Sequence, residues 1–182
     1  MVVSAASLLG SRGVGATSLA DVLAASRAPR GSIYHHFPGG KSQLIGEAMR
    51  WTTEQVLAYQ EQCAARTAPG VLGHFVDLFR HSIASSQCQA GCPIAGVVVG
   101  SSSEDGKLLL LGREGFRAWA DLLTRQLIAV RVPPRNARSL AVTTLASVEG
   151  ALILCRAERS LEPLEQVAEQ LRLAASTAPK KR

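Results

Sequence analysis

Apolar residues recur along this chain at intervals of three and four, and glycine or proline separates the stretches in which they do so. That spacing lays them on one face of a helix with 3.6 residues per turn, and almost no segment alternates as a strand would. The predicted class is all-α. A first helix is expected over residues 2–9, ended by Gly10-Ser11. Thr17 or Ser18 is placed to cap a second helix over residues 19–25, where Asp21 suits the positive end of the helix dipole. A short third helix over residues 29–36 takes proline in its first turn. Phe37-Pro38-Gly39-Gly40 then breaks the chain, and a long helix is expected over residues 41–66. Further helices follow at 71–86, 93–100, 105–131, 134–157 and 163–175, with Pro133-Pro134 and Glu162-Pro163 marking the joints.

These elements divide into a helix-turn-helix domain at 1–45, a helical body at 46–176 and a disordered basic tail at 177–182. Charge sharpens the division. The chain carries a formal net charge of +6. Within the first 50 residues Arg12, Arg27, Arg30, Lys41 and Arg50 face only Asp21 and Glu47, whereas the excess elsewhere is matched by Lys180, Lys181 and Arg182. A basic head on a neutral body suits a polyanion met at one end. Arginines interrupt every long apolar run, so no membrane span is expected, and the absence of a secretory pattern points to the cytoplasm. Cys63, Cys88, Cys92 and Cys155 are then expected as free thiols, without a metal or disulfide framework.

Residues 17–36 have the build of a helix-turn-helix: a capped helix, a tight turn and a second helix short enough for the major groove. Leu19, Val22, Leu23, Ala28, Ile33 and Phe37 form the inner apolar set. Thr17, Ser18, Arg30, Ser32, Tyr34, His35 and Lys41 remain as donors for phosphates and base edges.

The run Ala16-Thr17-Ser18-Leu19-Ala20-Asp21-Val22-Leu23, followed by Ala28-Pro29-Arg30-Gly31-Ser32-Ile33-Tyr34-His35-His36-Phe37-Pro38-Gly39-Gly40-Lys41, resembles the DNA-binding domain of the TetR family over about residues 4–50. The wording from Ala28 to Lys41, with Gly91-Cys92-Pro93-Ile94 and Glu149-Gly150-Ala151-Leu152, is similar to the LmrA/YxaF-like subgroup. The resemblance implies phosphate contacts at Tyr34 and Lys41, a contact at Thr17 or Ser18, and Arg30, Gly31, Ser32 and His35 on the recognition helix. It departs from the family at Arg27, where glycine is common. Arg27 either tolerates the less favourable backbone or reaches a phosphate itself. Family members also have a longer, basic first helix, and Met1 falls inside its equivalent, which leaves open whether the natural chain begins earlier.

In the body, Phe75 and Phe79, Val97, and Phe116, Trp119, Leu123 and Gln126 are spaced to converge on a common interior, as core or as lining. The resemblance implies an effector cavity among these helices, with His74, Trp119, Gln126 and Glu149 as lining candidates. The apolar segment 139–156 carries more nonpolar surface than one chain readily hides. Leu145, Gly150, Ala151 and Leu154, with Leu171 beyond, are therefore expected at a homodimer interface, where Glu149 would need a partner such as Arg138 or Arg156.

The expected function is a ligand-responsive regulator: a homodimer on double-stranded operator DNA, released by a small lipophilic or aromatic effector. The long helix from Lys41, carrying Trp51, Val56 and Tyr59, would link the two ends. No cofactor and no metal is expected. The alternatives are a regulator of the same fold switched by oxidation of Cys88 or Cys92, and a small-molecule-binding helical enzyme. No nucleophile with a base, carboxylate pair or phosphate loop supports the enzyme.

Overall fold

A computed structural model describes residues 1–29, 31–102 and 105–177. The described residues form nine helices: α1 (Val2–Arg12), α2 (Leu19–Ser26), α3 (Ser32–His36), α4 (Gly40–Glu61), α5 (Ala68–Ser85), α6 (Pro93–Gly100), α7 (Gly106–Ala129), α8 (Pro134–Glu158) and α9 (Glu162–Thr177). The class is all-α. Four boundaries differ from expectation by three residues or more, one of them the start of α5 at Ala68 rather than residue 71, where Thr67 provides the cap. Helix α1 continues through Gly10-Ser11 to Gly13, whose positive φ of 76° ends it. Helix α3 begins at Ser32 rather than Pro29, with Gly31 as its N-cap. Helix α4 stops at Glu61 rather than Arg66, because polar groups from α5 and α7 meet its last carbonyls.

The chain forms two compact units, Met1–Gln55 with Gly91–Gly115, and Val56–Ala90 with the remainder. The expected boundary at residue 45 is therefore not where compactness divides the chain. In the first unit α6 lies against α1 at backbone distance. A Cβ on Gly10 would stand 2.4 Å from the Gly91 carbonyl oxygen, and one on Gly96 2.3 Å from that of Leu9. Only glycine permits this approach. The start of α7 also reaches α4, since a Cβ on Gly46 would meet the Leu111 side chain at 3.3 Å. These contacts draw α6 and early α7 into the core around Leu9, Ile33, Leu44 and Met49, all at most 2% exposed.

The second unit packs α5, α8 and α9 with parts of α4 and α7. Thr67 caps α5 by accepting from the Gly70 N–H, and Pro69 sits in the first turn, where its missing N–H costs no helical bond. Helix α8 buries Ala141, Leu145, Val148, Leu152 and Cys155, a spacing of three and four. Its apolar length and composition would suffice to cross a bilayer, contrary to the expectation from interrupting arginines. It packs here on α5 and α9.

Candidate nucleic-acid interface and helical body

The turn between α2 and α3 is built from the sequence upward. Ser18 has extended backbone and accepts from the Asp21 N–H, while the Asp21 carboxylate accepts from the Ser18 N–H at 2.9 Å. This reciprocal capping box fixes where α2 starts and contributes roughly 0.5–2 kcal/mol through the cap. The Ser18 hydroxyl and N–H, donating to Asp21, hold its carboxyl below the usual range. At the other end Arg27 adopts the left-handed conformation, φ 55° and ψ 27°, and its N–H returns to α2. The family resemblance expected glycine here, and the backbone is of the kind that glycine favours.

Around this turn Tyr34 is 72% exposed, and His35 and His36 are exposed beside it with ring centroids 5.3 Å apart. Ile33 and Phe37 point inward and anchor α3. Ser32 donates to the Pro29 carbonyl at 2.6 Å, and exposed Gly31 has ordinary helical φ of −71°. Lys41 donates to the Val14 carbonyl at 2.9 Å, which positions its ammonium while leaving two of its three donors. Thr17 is a correction. Its side chain is buried and its hydroxyl donates to the Gly13 carbonyl, so Ser18, not Thr17, is the exposed residue at the start of α2, with both its donors given to Asp21. Arg30 lies outside the described residues. His36, exposed beside His35 on α3, was not among the residues expected to meet DNA.

In the second unit the expected effector candidates occupy two kinds of place. Phe75, Phe79, Phe116 and Trp119 form a continuous aromatic chain with centroid separations of 5.1, 6.3 and 5.6 Å. Trp119 is 1% exposed and Leu123 fully buried, so these side chains fill the interior. Phe116 and Glu149 line a hollow of about 320 Å³ with Arg117, Ala120, Arg138 and Val142. Arg138 pairs with Asp121. Val97 belongs to the first unit, buried in its core.

His74 and Gln126 meet the C-terminal end of α4, where helical carbonyls lack intrahelical partners. Gln126 Nε2 donates to the Gln60 carbonyl at 2.8 Å, and His74 Nε2 lies 3.0 Å from the Tyr59 carbonyl. The Tyr59 and His74 rings stack at 4.4 Å. Tyr59, His74 and Gln126 are thus joined by Gln60, which sequence reasoning missed, in a polar node whose partners stand up to 66 residues apart.

The expected dimer residues divide as well. Leu145, Ala151 and Leu171 are buried within the chain and leave the interface set, because their faces of α8 and α9 already serve the core. Gly150 and Leu154 are exposed, together with Val142, Ala146 and Ile153 on the same side of α8. A groove of about 750 Å³ runs along α8 and α9, lined by Leu154, Val167, Gln170 and Ala174 among others.

Comparison with known proteins agrees with this organisation. The profile of bacterial regulatory proteins of the tetR family matches residues 2–48, and that of the C-terminal domain of LmrA/YxaF-like transcriptional regulators matches residues 70–170. An uncharacterized HTH-type transcriptional regulator of Mycobacterium tuberculosis is 41% identical, over 94% of this chain and 90% of its own length. The HTH-type transcriptional regulator LmrA of Bacillus subtilis is 28% identical, over 81% of this chain and 80% of its own. A TetR transcriptional regulator from Legionella pneumophila shares the fold with a TM-score of 0.83 at 22% identity, over 96% and 95% of the two chains.

Proposed function

This chain belongs to the tetR family of bacterial regulatory proteins, of the LmrA/YxaF-like kind, and from that premise we propose that it is a repressor released from operator DNA by a small lipophilic or aromatic effector. It is a transcriptional regulator and not an enzyme. The observation that carries the DNA-binding residues is the α3 surface. Tyr34, His35 and His36 project from a five-residue helix held by Ile33 and Phe37, with Ser18 and Lys41 at its flanks. Such a helix is short enough to enter a major groove, and the Lys41 ammonium beside it suits a phosphate. Arg30 and Gly31 remain in the proposed recognition set by their place in the sequence.

Two copies would join through the exposed faces of α8 and α9. Ile153 is 69% and Leu154 50% exposed, more apolar surface than a lone helix commonly leaves in water. A twofold pair then reads a pseudo-palindrome with half-sites roughly 34–36 Å apart, or a multiple of that. The effector acts in the body, and because α4 runs from the recognition domain into it, DNA and effector oppose each other reciprocally. A switch by cysteine oxidation has less support. Cys88 and Cys92 are buried, and burial pushes the Cys155 thiol above its ordinary value.

The test uses Lys41→Ala and DNA selected from random sequence by the protein itself. The variant is expected to weaken binding to all sequences alike and to lower the salt slope by about one. An unchanged slope removes Lys41 from the phosphate contacts. Failure to select any sequence refutes the regulator reading itself.

A further inference from the structure

The polar node at the end of α4 leaves one atom unaccounted for. Gln60 is 1% exposed. Its Nε2 donates to the Val71 carbonyl at 3.3 Å and to Gln126 Oε1 at 2.7 Å, and Gln126 Nε2 returns a bond to the Gln60 main-chain carbonyl. Turning the Gln60 amide over would set its oxygen against two acceptors, so the network fixes its orientation. Gln60 Oε1 is then a buried acceptor without a hydrogen-bond partner among the described residues. Such groups are rare in folded proteins and call for an explanation.

The surroundings say what kind of group would satisfy it. The node draws on α4, α5 and α7, whose neighbouring Val56, Leu72, Phe75, Leu123 and Leu127 are buried. Tyr59, His74 and Gln126 are only half-buried, so the node lies beside a partly open aromatic edge rather than deep within the core. A carbonyl oxygen accepts and cannot donate. An ion placed there would lose its hydration among these apolar neighbours.

We propose that Gln60 Oε1 anchors the effector by accepting a hydrogen bond from an O–H or N–H group on an uncharged, mainly apolar molecule. This rests on the ligand-responsive reading above and adds the chemistry that the site selects. A molecule of the same shape without the donor leaves the acceptor unpaired and is rejected. The Tyr59–His74 stack provides the flat surface beside which an aromatic frame would lie.

The probes are indole, which has one N–H donor, and benzothiophene, a bicycle of nearly the same size without one. Both are titrated calorimetrically into the full chain. The expected preference for indole is at least about tenfold, equivalent to about 1.4 kcal/mol. Gln60→Met, which removes the acceptor at similar length, is expected to bring the two probes within about twofold. Gln60→Met is also expected to keep its binding of benzothiophene, which guards against a variant that merely fails to fold. Equal binding of both probes by the natural chain, binding of neither, or a preference that survives Gln60→Met overturns the proposal and assigns the oxygen to an internal water only. Release of the selected DNA is measured alongside. A Gln60-dependent preference without release upholds the anchor and refutes the switch, whereas release by indole and benzothiophene alike upholds the switch and refutes the anchor.

Discussion

The recognition segment and the body use their polar side chains over different distances along the chain. In the segment from Gly13 to Gln43 most of these bonds are local: Thr17 reaches back four residues, Ser18 and Asp21 bond across three, Ser32 reaches back three and Gln43 four, with Lys41 to Val14 across 27 as the exception. In the body, Gln60 meets Val71 eleven residues on and Gln126 sixty-six on, and His74 meets Tyr59 across fifteen. Local bonds shape a small motif that needs few outside contacts and leaves its exposed side chains for a partner. Long-range bonds make helix ends depend on other helices, so a change at one position is felt at several. The recognition segment should therefore tolerate substitution of its exposed side chains, and the body should not tolerate it at the buried side chains that join its helices.

The largest expected effect tests the body. Trp119→Ala removes a fully buried indole that meets Phe79 and Phe116 edge to face. Loss of a buried Trp costs about 3–5 kcal/mol, so the denaturant midpoint should fall steeply. If stability barely changes and only effector response is lost, Trp119 lines a binding space and its packing is secondary.

That contrast also explains what was legible beforehand. Capping residues, the Pro93 start of α6 and the Pro134 start of α8 are read within a few positions, and the helices fell close to where those signals put them. Tyr34 and His35 could be expected at the surface because they fall between Ile33 and Phe37, the apolar pair that anchors the helix, and both are exposed. Thr17 misled because capping propensity does not distinguish adjacent hydroxyls, and only the fold turns one toward Gly13. The same limit applied in α8, where composition named Ala151 and Gly150 together although the first is buried and the second exposed. The backbone contact of Gly10 with Gly91 left no periodic signal at all, and it carried α6 into the first unit.

A smaller effect is expected at Gly150. A Cβ there meets nothing within 4 Å, and glycine is the less favourable residue inside a helix. Gly150→Trp should leave thermal unfolding of the chain nearly unchanged while shifting sedimentation from dimer to monomer. Loss of joint engagement of two half-sites should weaken operator binding by at least about tenfold. A dimer that persists in the variant would move the interface away from this face of α8.

The smallest effect is expected at Arg27, which separates two roles that share one residue. Its left-handed backbone, φ 55°, costs a side chain roughly 1 kcal/mol relative to glycine in the folded state. Glycine, however, loses more freedom on folding, so the two terms oppose each other. Arg27→Gly should therefore stabilise the chain by less than about 1 kcal/mol, read as a small rise in the denaturant midpoint. DNA binding reports the other role, because the Arg27 side chain is exposed beside the α2–α3 turn. If the guanidinium meets a phosphate, the salt slope falls by about one in the same variant that gains stability. If the slope holds, arginine at this position is tolerated strain with no compensating contact. Arg27→Ala, which keeps the strain and removes the charge, should then bind DNA as the natural chain does.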